Sequence, residues 1–270
     1  MTSTQLRCRL LGLGAWGPGF SNWEELRSLL LTPASAESLP PAANPSPQVI
    51  PANERRRAPL PVKMAVEVSS QALAASGLPS SEVACVFGSG LGDTEITDYL
   101  CRELTTELKQ LSPTKFHNSV HNAAAGYWTI STGCMKSANS IAAYEQTAAL
   151  ALLEAAIQCV QQREPLLITL FDTPAHASYR QIFACDRPFA AALLICPEDY
   201  TDKGQPLSFD TNAQDELPQC PEHPELASLY RDNPSARVLG LLQLIAAGKA
   251  GAVGLPISPA RQLAVRLESR

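Results

Sequence analysis

Charged residues are scarce in this sequence, and no long run of one sign occurs. They make up 17% of the 270 residues, and the formal net charge is −5 at pH 7. The longest basic run, Arg55-Arg56-Arg57, is shorter than the basic blocks that are typical of nucleic-acid-binding proteins. We therefore expect no nucleic-acid partner, and we interpret the three arginines as part of a solvated loop.

The sequence also lacks the paired cysteines of a structural zinc site. None of its eight cysteines forms a CxxC pair, and they lie in segments that have the pattern of buried helices and strands. We therefore expect reduced, buried thiols and interpret Cys134 as structural. His117 and His121 are four residues apart and could share one helix face, but no third ligand accompanies them. We expect no metal.

Long apolar runs are missing as well. The two longest, residues 148–156 and 238–247, are far shorter than the roughly 20 residues that a membrane-spanning helix needs. The apolar residues near the N-terminus are interrupted by Gly17-Pro18-Gly19, which argues against a signal peptide. We therefore expect no membrane span and a cytoplasmic protein.

A nucleotide site receives little support. Gly12, Gly14 and Gly17 fit a GxGxxG pattern after a predicted strand. In a dinucleotide site the third glycine leads into a helix whose N-terminus faces the pyrophosphate, whereas here a proline and a glycine follow it. We expect no cofactor.

Short apolar runs alternate with helical patterns along most of the chain. We predict strands over residues 6–13, 82–87, 140–143, 166–171, 190–196 and 263–267, and helices over residues 21–31, 62–76, 93–108, 147–161 and 236–248. Residues 32–61 are rich in proline and predict an extended loop, and residues 198–234 are polar. This alternation predicts an α/β fold with a central sheet covered on both sides. Residues 147–161 are apolar on nearly every face, which predicts a buried helix.

Three segments resemble the β-ketoacyl synthases of the thiolase superfamily. Residues 12–15 and 22–26 resemble the family's first strand, loop and helix, and residues 83–92 resemble its second strand and loop. Ser112-Pro113 and then residues 118–130 resemble the stretch that leads to the active-site strand and nucleophile helix. In detail the chain is most similar to the short, chain-length-factor-like proteins of aryl polyene biosynthesis.

The resemblance implies a thiolase-like fold, essentially one half of it, with a layered α-β-α arrangement around a mixed sheet and a truncated second half. It covers roughly residues 8–196 as a ketosynthase N-terminal-like core. We therefore expect a single domain over residues 1–270, with residues 32–61 as its proline-rich loop and residues 197–270 as a remnant C-terminal part.

In active members of the family a cysteine begins the buried helix, and two histidines help to decarboxylate the malonyl unit. At the nucleophile position this chain has Glu145, as ungapped spacing favours, or Gln146, as the likeness of the Glu-Gln pair to chain-length factors favours. Neither is a thiol. Beyond residue 163 only His176 and His223 remain, and neither has the family's sequence context. The resemblance therefore implies no catalytic residues. We expect the chain to have no independent activity and to be a subunit of a β-ketoacyl synthase complex.

The expected function is that of a non-catalytic, chain-length-factor-like partner of a full-length ketosynthase in a heterodimer. It would shape the acyl tunnel in polyene, fatty-acid or polyketide-type elongation. The acyl carrier protein would be an indirect partner, through the ketosynthase complex. Alternatives are a malonyl decarboxylase-like enzyme, a condensing enzyme in its own right, or a self-standing module that binds the carrier protein.

The resemblance places residues 118–130 near the subunit contact. The candidate interface and tunnel residues are Asn118, His121, Asn122, Gly126, Tyr127 and Trp128. Trp128 is the expected anchor, since large aromatic side chains often anchor interfaces. The alternative is that Trp128 fills the chain's own core.

Overall fold

The computed structural model describes residues 5–32, 38–213, 216–258 and 260–268. Five residues of the predicted proline-rich loop, 33–37, lie outside these ranges. In the described ranges the strands belong to one sheet, so the elements after residue 197 continue the sheet that the earlier ones begin.

The sheet has eight strands in the order β3-β2-β4-β5-β1-β6-β8-β7. The strands are β1 (Leu6–Trp16), β2 (Ala84–Gly88), β3 (Ala138–Ile141), β4 (Leu166–Asp172), β5 (Phe189–Pro197), β6 (Gln205–Asp210), β7 (Gly251–Ser258) and β8 (Arg261–Leu267). Strand β2 pairs in parallel with β3 and β4, whereas the remaining pairs are antiparallel. The predicted mixed central sheet is confirmed.

Helices cover both faces of this sheet. They are α1 (Trp23–Leu31), α2 (Ala52–Arg57), α3 (Leu60–Ser76), α4 (Thr94–Thr105), α5 (Pro113–Asn118), α6 (Ala123–Thr132), α7 (Thr147–Gln162), α8 (Pro224–Asp232) and α9 (Leu239–Ala247). Helices α1, α7, α8 and α9 share one hydrophobic core with the sheet, and α3 and α6 share the other. None of the helices in these ranges is both long enough and apolar enough to cross a membrane.

Strand β4 shows how the sequence produces the two cores. Successive side chains of a strand point to opposite faces, so Leu166, Ile168 and Leu170 enter the α7 core. Leu167 and Phe171 enter the α3 core. A strand that is buried on both faces is largely apolar, and in this segment the buried Thr169 hydroxyl is hydrogen-bonded to Ser69.

The GxGxxG pattern has a packing role in this fold. A Cβ atom at Gly12 would overlap the Ala72 carbonyl oxygen, and one at Gly14 would overlap that of Val68. These glycines therefore allow α3 to lie directly against β1. This packing role accounts for the glycine pattern without a nucleotide site.

Helix α7 is less buried than its composition predicts. A stripe that includes Ala148, Leu152 and Ala155 faces the sheet and is fully buried, but Ile157 is 40% exposed. Small alanines on the buried stripe let the helix axis approach the strands closely. Away from the sheet, Leu153 and Val160 still pack partly against the same core, which leaves Ile157 as an exposed apolar residue of this helix.

Several predicted elements need correction. The proline-rich segment contains α2, so the three arginines lie on a helix and not in a loop. Asn22 caps α1 by accepting the Glu25 N–H at 3.0 Å, so the first helix begins at Trp23 and not at residue 21. Residues 198–234, which were described as polar and given no element, contain β6 and α8, and β7 was missed.

Candidate functional site

The predicted nucleophile position lies where β3 ends and α7 begins. The parallel strands β2, β3 and β4 end at this same edge of the sheet, at Gly88, Ile141 and Asp172. Loops that follow neighbouring parallel strands converge at one edge, which is where α/β proteins place their functional residues. This edge is therefore the candidate site.

The turn between β3 and α7 is strained at Tyr144. Its φ of +48° lies in the left-handed region, which a non-glycine residue rarely adopts. A strand that passes through one strained residue into a helix has the shape of a nucleophile elbow. The Tyr144 ring packs against Phe183 with centroids 5.2 Å apart. Sequence reasoning missed this residue, because nothing in its type indicates a positive φ.

Glu145 and Gln146 complete this turn as a short 3-10 segment, Tyr144–Gln146. The Glu145 carboxylate is half-exposed and lies 3.4 Å from Arg237 Nη2. The Gln146 N–H donates to the Ala143 carbonyl at 3.0 Å, and its side chain makes no capping bond to α7. The start of the buried helix therefore presents an ion pair and an amide.

A buried carboxylate holds the surrounding loops. Asp172 is fully buried, and its Oδ1 accepts hydrogen bonds from Ser89 Oγ at 2.8 Å and the Leu91 N–H at 2.9 Å. Its Oδ2 accepts from the Gly90 N–H at 3.1 Å and from Ser235 Oγ at 2.6 Å. Burial raises the pKa of Asp172, and these four donors oppose that shift. Asp172 thus connects the loop after β2 to the segment before α9.

The space around the elbow is tightly filled. A Cβ atom at Gly90 would come within 2.7 Å of Pro234 Cβ and 2.9 Å of the Tyr144 carbonyl oxygen. Only glycine fits there, since real Cβ atoms do not approach other atoms so closely. Neither Asp172 nor this close contact was predicted, although a charged residue directly after an apolar strand was a visible signal.

The two late histidines differ: His176 has local partners, whereas the buried Nδ1 of His223 has no hydrogen-bond partner among the described residues. His176 Nδ1 accepts the Ser178 N–H at 3.3 Å and lies 3.4 Å from Asp98 Oδ1. His223 is buried and immediately precedes α8. His117 is part of α5, whereas His121 lies beyond its end, so the prediction of a shared helix face is wrong. Within the described ranges no group of three or more His, Cys, Asp or Glu side chains could hold a metal ion.

The cysteines are mostly buried, as predicted. Cys134 is buried and donates its S–H to the Val83 carbonyl at 3.3 Å, which confirms a structural thiol. Burial raises the pKa of Cys85 to about 12, so this thiol is inert at neutral pH. Cys101 and Cys220 are exposed, which corrects the expectation for these two.

Four of the predicted interface residues differ widely in exposure. Asn118 is buried at the end of α5, whereas His121 and Asn122 are exposed. His121 Nε2 lies 3.0 Å from the Ser89 carbonyl oxygen, so it reaches the loop that Asp172 holds. Gly126 has open space where a Cβ would lie.

Trp128 belongs to the chain's own core. It is 1% exposed and packs with α3 and β2, so the prediction that its side chain anchors an interface is wrong and the core alternative holds. Helix α6 turns Ala124, Ala125 and Trp128 inward. Tyr127 is half-buried and lies edge-on to His117, with ring centroids 6.4 Å apart.

The outward side of α6 borders a groove of about 380 Å³. Its apolar lining includes Pro51, Val120 and Ile130, and its polar lining includes Glu54 and Tyr127. Val120 is 52% exposed and Ile130 is 82% exposed. Large apolar side chains with this exposure mark a surface that another molecule can cover.

The comparisons with solved structures agree with this architecture. A chain of the ketosynthase ApeO in complex with its chain length factor ApeC, from Xenorhabdus doucetiae, is similar at 21% identity with a TM-score of 0.73, over 97% of this chain and 99% of that one. The ishigamide ketosynthase/chain length factor is similar at 14% identity with a TM-score of 0.69, over 96% and 98%.

A third similar structure is AntDE:AntF, a type II polyketide synthase acyl-carrier protein in complex with its ketosynthase. The match has 11% identity and a TM-score of 0.73, over 99% of this chain and 100% of that one. At such identities the likeness establishes the fold, and no curated protein sequence matches the chain significantly.

The sequence profile of one family, described as the N-terminal domain of β-ketoacyl synthase, matches residues 31–248. This match begins later and ends later than the range 8–196 over which the motifs resemble the family. It spans well over half of the chain and includes the elbow, Asp172 and the candidate interface. The chain therefore belongs to the β-ketoacyl synthase family, with the thiolase-like fold of its N-terminal domain.

Proposed function

We propose that this chain is a non-catalytic, chain-length-factor-like subunit that pairs with a full-length ketosynthase and helps to enclose the growing acyl chain. The observation that supports the proposal is the strained turn Tyr144–Gln146 before α7, which contains both predicted nucleophile positions, Glu145 and Gln146, and has no thiol. Decarboxylative condensation requires a thiolate that accepts the acyl group. A ketosynthase fold without that thiol fits a partner role.

The similar solved structures support the same reading. Two of them contain a ketosynthase together with a chain length factor, and a third contains a ketosynthase with an acyl-carrier protein. By analogy we propose a heterodimer that receives its acyl groups from a carrier protein docked on the complex. In this proposal the ketosynthase also lines the tunnel, so both subunits set the length of the acyl chain that the tunnel accepts.

The surface around β3 supports the pairing. Strand β3 is the edge of the sheet, and an edge strand has unpaired N–H and C=O groups that can hydrogen-bond to another chain. Helices α6 and α7 both contact β3. Ile130 of α6, Ile157 of α7 and Met135 in the connection before β3 are 82%, 40% and 94% exposed. A partner that covers this face would bury these three apolar side chains.

The other candidate residues fit the margin of this face. His121, Asn122 and Gly126 are accessible from outside, and Tyr127 is accessible in part. Asn118 and Trp128 are buried and would support the face from beneath without contacting a partner. We therefore propose that α6 contributes its outward side to the interface.

Co-expression with a full-length ketosynthase from the same organism tests the pairing. We expect a 1:1 complex in size-exclusion chromatography with light scattering. Replacing Met135 with Asp should weaken the complex, because it places a charge in an apolar contact. Leu31→Asp, at a 48% exposed leucine of α1, a helix that packs against β1 and α9, is the matched control and should leave the complex intact.

Two outcomes would count against the proposal. If the purified ketosynthase and this chain elute separately at micromolar concentrations, the partner role fails. If carbon dioxide is released from a malonyl thioester by this chain alone, the decarboxylase alternative gains support instead.

A further inference from the structure

Helix α7 contains a single charged residue, Glu154, in its 16 residues. Glu154 is half-buried and lies three residues before Ile157, which is 40% exposed, so the two share one side of the helix. Over the described ranges no lysine, arginine or histidine lies within ion-pair distance of the Glu154 carboxylate. This part of the chain therefore leaves the charge of Glu154 uncompensated.

Gln158, one turn further along α7, adds a second acceptor without a donor. Its Nε2 donates to Glu154 Oε1 at 2.6 Å. Only the NH2 end of an amide can donate to a carboxylate, so this bond fixes the orientation of the Gln158 amide. Gln158 Oε1 is buried and has no hydrogen-bond partner among the described residues. Glu154 and Gln158 thus form a pair that is rich in acceptors and that a cationic donor can satisfy.

The proposed function changes the surroundings of this pair. Ile157 belongs to the face that we assign to the ketosynthase, and Glu154 lies beside it on the helix surface. A partner that buries Ile157 also removes water from the neighbouring carboxylate. Burying a charge is strongly unfavourable unless the charge is paired and hydrogen-bonded. The chain supplies no cation for Glu154, so in the complex the cation has to come from the partner.

We infer that an arginine of the ketosynthase lies against Glu154 and Gln158 in the complex, an inference that rests on the proposed function. A guanidinium group is planar and has five N–H donors. It can therefore donate to the carboxylate and, once the half-exposed Gln158 side chain turns its oxygen outward, to the amide as well. A lysine lacks this fork. The contact also adds specificity to an apolar face, because a partner without the arginine would leave the carboxylate unpaired.

Binding of α7 variants to a full-length ketosynthase from the same organism, measured by surface plasmon resonance, tests the contact. Glu154→Gln keeps the shape of the side chain but removes its charge, and it should weaken binding about tenfold, mainly through faster dissociation. Glu154→Arg should weaken binding about 100-fold, because it places like charges together. Gln158→Leu removes the amide oxygen and should weaken binding about threefold.

Glu67→Gln is the matched control. Glu67 is a half-buried glutamate of α3, which covers the face of the sheet opposite to α7, so its substitution should leave the affinity unchanged. The affinity of the unsubstituted chain should fall as salt rises, and that of Glu154→Gln should depend less on salt. Urea denaturation of each isolated variant verifies that the fold is intact.

Charge reversal in the ketosynthase identifies the arginine. Each surface arginine of the ketosynthase is replaced by glutamate in turn, and each product is titrated with the Glu154→Arg chain. One of these variants should restore the affinity by about tenfold or more, because it forms the ion pair with its charges exchanged. The same variant should bind the unsubstituted chain more weakly.

The inference is overturned if Glu154→Gln binds the ketosynthase as tightly as the unsubstituted chain does, if Glu67→Gln weakens binding equally, or if no arginine variant restores the binding of Glu154→Arg. In these cases the complex of the unsubstituted chain still forms, so the proposed function stands. If the unsubstituted chain and the ketosynthase do not associate at micromolar concentrations, the proposed function fails, and this inference fails with it.

Discussion

Replacing Asp172 with Asn tests whether one buried carboxylate holds the candidate site together. The two carboxylate oxygens accept two backbone N–H groups and two hydroxyl groups. An asparagine offers one acceptor oxygen and one NH2 group in the same space. The hydroxyl that meets the NH2 group can rotate and accept, but the backbone N–H beside it cannot.

One buried N–H is therefore left without a partner, which costs about 1–3 kcal/mol. The two bonds that remain also lose their charge-assisted strength, by roughly 1 kcal/mol together. The expected loss of unfolding free energy is about 2–4 kcal/mol, measured by urea denaturation with an unchanged m-value. Ser235→Ala removes a single hydroxyl donor and should cost about half as much. If Asp172→Asn is neutral or stabilising, the carboxylate does not organise these loops.

Three further predictions concern neighbouring features. Trp128→Ala should destabilise the chain by about 3–5 kcal/mol in denaturant unfolding. Ile130→Ala should change the chain's stability by no more than ~0.5 kcal/mol, but it should weaken pairing with the ketosynthase in a titration. The reverse pattern would contradict the core position of Trp128. Because φ at Tyr144 is +48°, Tyr144→Gly should be more stable than Tyr144→Ala by about 1 kcal/mol in thermal melts, and equal stabilities would refute the strain. The hydrogen bond from Ser178 is the main cause that lowers the pKa of Asp98, so Asp98 contributes stability above its unfolded pKa that is lost as pH falls through the folded pKa. Ser178→Ala should weaken this acid-side dependence in pH-resolved melts, and an unchanged profile would assign the shift to Arg102 and His176.

The regular elements were readable from the sequence where one physical signal dominated. Residues 166–171 form a strand because they are apolar except for Thr169, and residues 147–161 form a helix because no glycine or proline interrupts them. The antiparallel strands β6 and β7 were missed because each contains a proline, at Pro206 and Pro256, which argues against a strand. Strand β7 is an edge strand, where a missing N–H costs less, and Pro206 lies before the residues of β6 that pair with β8.

The candidate site was predicted only in its position along the chain. The family resemblance placed the lost nucleophile at Glu145 or Gln146, and the structure puts both in the turn that begins α7. The strain at Tyr144 and the bonds of Asp172 were not predictable, since they depend on loops more than 60 residues apart in the sequence coming together. Trp128 was misassigned because residue type alone does not tell which face of α6 meets α3.

The central claim is that the fold of a condensing enzyme is present here without its chemistry. The most direct test compares condensation of malonyl and acyl carrier-protein thioesters by the isolated chain, by the full-length ketosynthase alone and by their 1:1 mixture. We predict no product from the isolated chain, because no thiol stands at the elbow, and product from the mixture at a rate above that of the ketosynthase alone. Turnover by the isolated chain, abolished by cysteine alkylation, would contradict the claim.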